Sequence, residues 1–221
     1  MLELRRIRLI YIITGHYGSG KTEVAINFAL TLKNATIIDL DIVNPFFRTK
    51  DAEDKLIANG IKVIAPEFAN TNIDVPSLPP DVFAGLQGNN DVVIDVGGDD
   101  DGAIALGQYN RYFREKPYEM YFVINAKRPL TSNSDDIIEM MKSIERTSRI
   151  KVTALINNTN MKAETTVNDL IQGQKIVDEV SNITGLPVKA ISATKEIIEQ
   201  IEIANIPKLS LDLHLILPWE V

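Results

Sequence analysis

The chain has 221 residues, a length typical of one domain with a substantial core. Its composition, 45% hydrophobic and 24% charged residues with 12 Gly and 10 Pro, excludes collagenous, coiled-coil and disordered classes. The net charge of −7 argues against binding to nucleic acid or to anionic lipid, since both attract basic surfaces. Cysteine is absent, which excludes disulfides, thiolate metal sites and thiol nucleophiles.

The N-terminal segment has some features of a signal peptide. Arg5, Arg6 and Arg8 precede an apolar run, but that run lasts only from residue 9 to 13 and leads into glycines rather than a cleavage site. No apolar stretch approaches the roughly 18 residues of a membrane span. We therefore expect no stable membrane insertion. A cytoplasmic location is expected as well, because the absence of cysteine fits a reducing compartment.

Short β-branched runs alternate with longer helical patterns along the chain, with no internal repeat or linker. Strands are predicted at residues 7–14, 35–40, 62–65, 91–96, 119–125, 152–157 and 188–192. Helices are predicted at residues 21–33, 49–59, 80–87, 102–115, 134–147, 166–184 and 194–203. Near-continuously apolar strands in this alternation are typical of parallel strands covered on both faces. The sequence thus predicts one α/β domain over residues 1–221, a mostly parallel sheet of about seven strands between two helical layers.

Two stretches interrupt this alternation. Residues 66–81 carry four prolines and are predicted to form a long loop, a common place for function. Residues 209–217 alternate apolar and polar side chains, which predicts a final strand at the edge of the sheet.

A phosphate-binding loop is predicted at Gly15-His-Tyr-Gly-Ser-Gly-Lys-Thr22, between a strand and a helix. Glycines let the backbone N–H groups face phosphate oxygens, and the helix N-terminus adds a positive dipole end. Lys21 would reach the β- and γ-phosphates, and the Thr22 hydroxyl would bind Mg²⁺. The nucleotide contacts assigned to this segment are Gly15, Gly18, Ser19, Gly20, Lys21, Thr22 and Glu23.

Two further polar segments follow predicted strands. Asp95 ends an apolar strand and is the second carboxylate that a phosphate loop needs to hold Mg²⁺, through water. Gly98, three residues later, offers an N–H that can sense the γ-phosphate. The segment Asp39-Leu-Asp41-Ile-Val-Asn-Pro45 follows the second strand, so all three segments should meet at the carboxyl edge of the sheet.

This order of motifs resembles the MinD/ParA/CobQ superfamily of P-loop ATPases, in the SIMIBI class, which also includes the nitrogenase iron protein and dethiobiotin synthetase. The resemblance spans the chain in layout, but its specific residues lie at 15–22, 39–45, 95–99 and 157. It implies ATP and Mg²⁺ as cofactors and places Asp41 near the attacking water. It also makes Asp99 a second catalytic candidate near the γ-phosphate, besides Lys21, and Asn157 a contact to the adenine amino group.

One departure from the family concerns the second position of the loop. Many dimeric members carry a lysine there that reaches the partner's nucleotide, whereas this chain has His16, which argues against such a homodimer. A histidine near its ordinary pKa of about 6.5 is a weak substitute for a permanent cation. Arg48 is the better candidate for a supplementary cation, with a solvated arginine at a helix start as the alternative.

The base is predicted to be adenine. Guanine-specific P-loop enzymes use Asn-Lys-x-Asp, and the segment Asn125-Ala-Lys-Arg128 does not fit that pattern. Asn157 and Asn158 are alternatively turn formers after a strand.

Three functions remain open from the sequence. The first is a low-turnover ATPase that acts as a nucleotide switch for a protein partner. The second is a phosphotransferase or ATP-dependent ligase of the dethiobiotin synthetase or cobyrinate type, with a small-molecule acceptor under residues 66–81 and with Lys127 and Arg128 as acceptor cations. The third is a module that holds ATP without turnover. We favour the switch, because no helical substrate domain interrupts the chain.

Overall fold

An eight-stranded, all-parallel sheet runs through the molecule. The computed structural model describes residues 8–41, 52–65, 80–98 and 100–214. The strands are β1 (Ile10–Gly15), β2 (Thr36–Leu40), β3 (Lys62–Ile64), β4 (Val92–Val96), β5 (Tyr118–Ile124), β6 (Ala154–Asn157), β7 (Val188–Thr194) and β8 (Lys208–Leu211). The α/β fold class is thereby confirmed. The sheet has one strand more than the seven predicted before the tail, because part of the predicted tail strand at 209–217 joins it as β8. Residues 212–214 are not in a strand, and residues 215–217 lie outside the described residues.

The strand order is β3-β2-β4-β1-β5-β6-β7-β8, which places β1 between β4 and β5. In the register, Asp95 of β4 lies opposite Ile13 of β1 on one side and Asp39 of β2 on the other. All strands are parallel, so the segments that follow β1, β2 and β4 emerge at the same edge. The order also brings the segment after β5 beside the end of β1, where Gly15 pairs with Val123.

Eight α-helices are assigned within the described segments. They are α1 (Lys21–Thr31), α2 (Glu53–Ala58), α3 (Pro80–Gln87), α4 (Asp100–Gly107), α5 (Asn110–Glu115), α6 (Ser134–Ser148), α7 (Val167–Thr184) and α8 (Lys195–Ile198). Short 3-10 turns occur at Pro129–Thr131 and Lys162–Glu164. None of these helices combines the length and the apolar character that crossing a bilayer requires.

The predicted single helix at residues 102–115 is wrong, because two helices occupy this segment. Gly107 ends α4 where its backbone lies against α6: a Cβ on it would be 3.1 Å from the Thr147 carbonyl oxygen. Glycine disfavours helix continuation, and the close packing leaves no room for a side chain. The predicted helix at 194–203 is shorter, four residues in α8, and the predicted loop at 66–81 lies mostly outside the described residues.

Both faces of the sheet are covered, and the alternation of β1 shows how. Ile12 belongs to the cluster that includes Leu106 of α4 and Ile137 of α6, whereas the next residue, Ile13, belongs to the cluster that includes Val24 of α1. All five side chains are fully buried. Burial on both faces explains why the central strands are apolar without alternation. Polar side chains at the strand ends are thus exceptions that mark the carboxyl edge.

Candidate functional site

The segment between β1 and α1 adopts a conformation that requires glycine. Gly18 and Gly20 have φ of +73° and +83°, in the left-handed region. A Cβ on Gly15 would collide with the Val123 carbonyl oxygen. Gly20 is the N-cap of α1 and provides no side-chain cap, so the N–H groups of the first helical turn are left for another acceptor. This geometry suits an anion, because the helix dipole favours negative charge at the same point.

Several polar side chains of this segment are buried. Lys21 and Thr22 are only 6% and 8% exposed. The Lys21 Nζ donates a hydrogen bond of 3.2 Å to the His16 carbonyl oxygen. Among the described residues, the buried Thr14 Oγ1 and Ser19 Oγ have no hydrogen-bond partner. Buried polar atoms are nearly always paired in folded proteins, so a concentration of unpaired atoms here indicates a site that a polar ligand completes.

A carboxylate cluster lies beside this loop. Asp95 is 1% exposed, and within the described part of the chain neither of its carboxylate oxygens has a hydrogen-bond partner of ordinary geometry. Burial and the neighbouring Asp39 raise the pKa of Asp95 well above its ordinary value, and Lys21 and the Thr22 hydroxyl oppose this shift. A positive ion near Asp95 would remove the cost of its ionised form.

The Asp-x-Asp segment turns towards the end of β4. Asp39 accepts a hydrogen bond of 2.9 Å from the Asp41 backbone N–H, which fixes this turn. The Asp41 Oδ1 lies 3.2 Å from the point where a Cβ on Gly97 would stand. Asp41, the predicted catalytic candidate that follows β2, and the glycine pair after β4 are therefore neighbours.

Gly98 lies directly against the phosphate loop. A Cβ on Gly98 would be 2.5 Å from the Lys21 Nζ and 2.7 Å from the Tyr17 N and Cα atoms. The structure thus brings together the three segments that the sequence predicts to converge. Asp99, the second catalytic candidate, lies outside the described residues, as do Arg48 and the Asn-Pro pair at 44–45.

Asn157 is fully buried and holds α7 to the sheet. Its amide nitrogen donates to the Leu170 carbonyl oxygen at 3.2 Å and to the Gln174 Oε1 at 3.0 Å. Its Oδ1 accepts from the Thr159 backbone N–H at 3.0 Å. The side chain has these contacts within the protein, and its assignment as an adenine contact stays a prediction.

The role of Asn158 is not evident from the sequence. The Asn158 Nδ2 donates a hydrogen bond of 2.7 Å to the Ser19 carbonyl oxygen, and its Oδ1 accepts one of 3.0 Å from the Ser192 hydroxyl. Asn158 is only 3% exposed. It therefore supports the phosphate loop from β6. A polar residue after a buried strand is the signal that the sequence offers, but it does not say which loop the side chain contacts.

The segment after β5 contributes a cation at the loop. The Arg128 Nε donates a hydrogen bond of 3.1 Å to the Gly18 carbonyl oxygen. The neighbouring Lys127 instead forms an ion pair of 2.6 Å with Asp169, at the start of α7. The two cations that the sequence analysis grouped together therefore have different surroundings.

No family model and no curated protein matches the chain. Solved structures do match, among them FtsY from Thermotoga maritima, with a TM-score of 0.56 and 19% identity over 88% of this chain and 64% of that one. Chloroplast FtsY from Physcomitrella patens matches with a TM-score of 0.58 and 17% identity over 89% of this chain and 62% of that one. A nucleotide-binding protein from Archaeoglobus fulgidus, in complex with ADP, matches with a TM-score of 0.53 and 16% identity over 87% and 84%.

These likenesses show that the chain shares the α/β fold of FtsY and of the nucleotide-binding protein. The chain spans a little under two-thirds of the length of the two FtsY structures.

Proposed function

We propose that this chain is a Mg²⁺-dependent ATP-binding protein of the MinD/ParA/CobQ type, which hydrolyses ATP slowly and acts as a nucleotide switch for a protein partner. The proposal rests above all on Asp95. Its buried carboxylate has no hydrogen-bond partner of ordinary geometry among the described residues, and it stands between Thr22 and Asp39 at the end of the phosphate loop. A nucleotide-bound cation would suit this arrangement.

The phosphate chain would lie in the segment from Gly15 to Thr22. The uncapped N–H groups of α1 and the buried Lys21 ammonium would bind its oxygens, with Ser19 and Glu23 flanking them. The unpaired hydroxyl of Ser19 supports a polar ligand at this point.

Thr22 and Asp95 fit a magnesium ion. Both offer oxygen ligands, which Mg²⁺ prefers, and the Asp95 carboxylate would hold the ion through water. The bound ion would supply charge neutralisation at the β- and γ-phosphate oxygens.

Turnover would be in-line attack of water on the γ-phosphate, a reaction that depends on positioning and electrostatics. Asp41 would orient the water, with Asp99 as the second candidate, and Lys21 would neutralise the growing charge. The closeness of Gly98 to the Lys21 ammonium supports a sensing role for Gly98. Loss of the γ-phosphate would move Lys21 and its surroundings, and this movement would be passed to the segment that leads into α4.

Adenine is proposed as the base, with Asn157 as a candidate contact. Recognition of guanine by P-loop proteins needs a carboxylate near the segment after β5. The carboxylate tied to that segment is Asp169, whose oxygens accept from Lys127 and from the Thr166 N–H and hydroxyl. A carboxylate with these partners is not free to pair with a base, and ATP should therefore bind more tightly than GTP.

The structure's contacts favour the switch over a phosphotransferase. Lys127, one of the two cations assigned to an acceptor, is ion-paired with Asp169. Arg128, the other, is bonded to the phosphate loop itself. Neither contact positions a charge for a second substrate, so water is the preferred acceptor in this proposal.

Calorimetric titration with Mg·ATP tests the proposal. Lys21→Ala should weaken binding by about tenfold or more, since a charge-assisted phosphate contact is worth about 1.5–3 kcal/mol. Lys33→Ala, an exposed lysine beyond the end of α1, is the matched control and should bind like the wild type. Thr22→Ala should lose the dependence of affinity on Mg²⁺. Equal affinities of the wild type and Lys21→Ala would contradict the proposal.

A further inference from the structure

Arg128 lies against Gly18 of the phosphate loop. Its guanidinium carbon and Nε would each be 3.0 Å from a Cβ placed on Gly18, and its Nη2 would be 3.2 Å away. The hydrogen bond from Nε to the Gly18 carbonyl oxygen fixes the guanidinium in this position. The glycine at position 18 is thus required twice, once by its positive φ and once by the approach of this side chain.

The backbone that carries Arg128 is held by a buried network. The fully buried Asn125 accepts the Thr131 hydroxyl at 2.7 Å and the Arg128 N–H at 3.1 Å through its carbonyl oxygen. The Asn125 Oδ1 accepts the backbone N–H groups of Lys127 and Asn160. These bonds join the segments after β5 and β6. They limit the loss of conformational freedom when Arg128 binds a ligand.

Most of the hydrogen-bonding capacity of Arg128 is unused. A guanidinium has five N–H donors, and only the Nε–H has a partner within the described residues. With respect to the described residues, the two Nη groups have four N–H donors in a planar fork that remain available for an anion. Lys127, by contrast, is engaged by Asp169 at 2.6 Å.

The positive charges of Arg128 and Lys21 both act on the side chain of His16. Burial lowers the pKa of His16 below its ordinary value, and the positive charges of Lys21 and Arg128 lower it further. The neutral form of His16 is thereby favoured, so His16 is a poor source of positive charge for the loop. Two cations, Lys21 at the start of α1 and Arg128 after β5, therefore act on this one imidazole.

We propose that Arg128 is a nucleotide-binding residue, whose Nη1 and Nη2 supply a second permanent positive charge to the phosphate chain held by the segment from Gly15 to Thr22. The planar fork of a guanidinium matches two phosphate oxygens, which a histidine or a single ammonium does not. Arg128 would then be the supplementary cation, the role for which the sequence suggests Arg48. The inference rests on the proposed nucleotide binding.

The test compares the wild type, Arg128→Gln and Arg128→Lys by calorimetry, with Mg·ATP and with inorganic tripolyphosphate, which has no base or sugar. Arg128→Gln should weaken binding of both ligands about tenfold, as expected for the loss of a charge-assisted contact. Arg128→Lys should lose roughly threefold, because it keeps the charge and loses the fork. Lys127→Gln is the matched control and should stay within about twofold of the wild type, since its charge is spent on Asp169.

Three outcomes overturn the inference. Equal affinity of Arg128→Gln and the wild type for tripolyphosphate excludes a phosphate contact. Weakened ATP binding with unchanged tripolyphosphate binding moves Arg128 to the base or the ribose. An equal loss in Lys127→Gln makes the effect one of general charge.

Lys21→Ala separates this inference from the proposed function. If the wild type binds ATP and Lys21→Ala weakens it while Arg128→Gln does not, only the inference is wrong. If the wild type binds neither ligand, the proposed function fails and the inference fails with it. Because the Arg128 side chain is exposed, the urea midpoint of Arg128→Gln should match that of the wild type.

Discussion

Replacing Asn158 with alanine should destabilise the protein and loosen its phosphate loop together. The change removes the 2.7 Å bond to the Ser19 carbonyl oxygen, an acceptor that stays buried, and the 3.0 Å bond from the Ser192 hydroxyl. Ser192 retains a second acceptor, the Asn157 carbonyl oxygen at 3.3 Å, so the Ser19 carbonyl is the larger loss. An orphaned buried acceptor costs about 1–3 kcal/mol and a weakened hydroxyl about 0.5–1 kcal/mol, or about 1.5–4 kcal/mol in total.

Urea denaturation of Asn158→Ala measures this cost as a shift of the unfolding midpoint at unchanged slope. In thermal unfolding, the expected loss lowers Tm by about 3–16 °C for a chain of this size. Asn158→Asp is nearly isosteric but places a carboxylate oxygen opposite the Ser19 carbonyl, so it should be at least as unstable. Asn182→Ala, an exposed position on α7, is the control. A free energy of unfolding for Asn158→Ala within about 0.5 kcal/mol of that for Asn182→Ala would refute this prediction.

Three further predictions concern the site and its surroundings. Gly98→Ala should abolish ATP binding, because its methyl group would lie 2.7 Å from backbone atoms of the phosphate loop; Gly88→Ala, where a Cβ meets nothing nearer than 3.5 Å, should bind normally in the same titration. Asp41→Asn should keep ATP affinity and lose hydrolysis in a phosphate-release assay, since it removes a contact of the transition state; wild-type turnover would exclude Asp41 as the water-orienting group. The ion pair with Lys127 and the Thr166 hydrogen bonds lower the pKa of Asp169 to about 2. The wild type should therefore be more stable than Asp169→Asn by its full margin above pH 4, and this margin should shrink towards pH 2 as Asp169 is protonated. A constant difference in urea midpoint across that range would contradict this.

The fold could be predicted because its signals are local. The segment around Ile12 and Ile13 is apolar without alternation, which indicates a strand covered on both faces, and the same holds for β4 and β5. The glycine spacing of the phosphate loop and the position of Asp95 at the end of an apolar run are both visible in the sequence itself. The break between α4 and α5 was missed because Gly107 is explained by its contact with α6, which the sequence around it does not reveal.

The supports of the loop could not be predicted, because they come from distant parts of the chain. Asn158 contacts a residue 139 positions away, and Arg128 contacts one 110 positions away. An asparagine after a strand looks like any turn former, and an arginine before a proline looks like any exposed cation. Only the strand order, which sets β5 and β6 beyond β1, determines that both side chains reach the phosphate loop.

The central place of β1 has a consequence for how the chain folds. Its two neighbours in the sheet, β4 and β5, are separated from it by about 80 and 110 residues, so neither pairing can form until the chain has been made past residues 96 and 124. Each of these pairings requires a long loop of chain to close first. Because loop closure costs conformational entropy before any strand contact is gained, folding is slow. The phosphate loop gains its last support only with Asn158. During synthesis, a nascent chain that ends before Asn158 would contain the phosphate-loop sequence but could not yet hold the loop in its folded conformation.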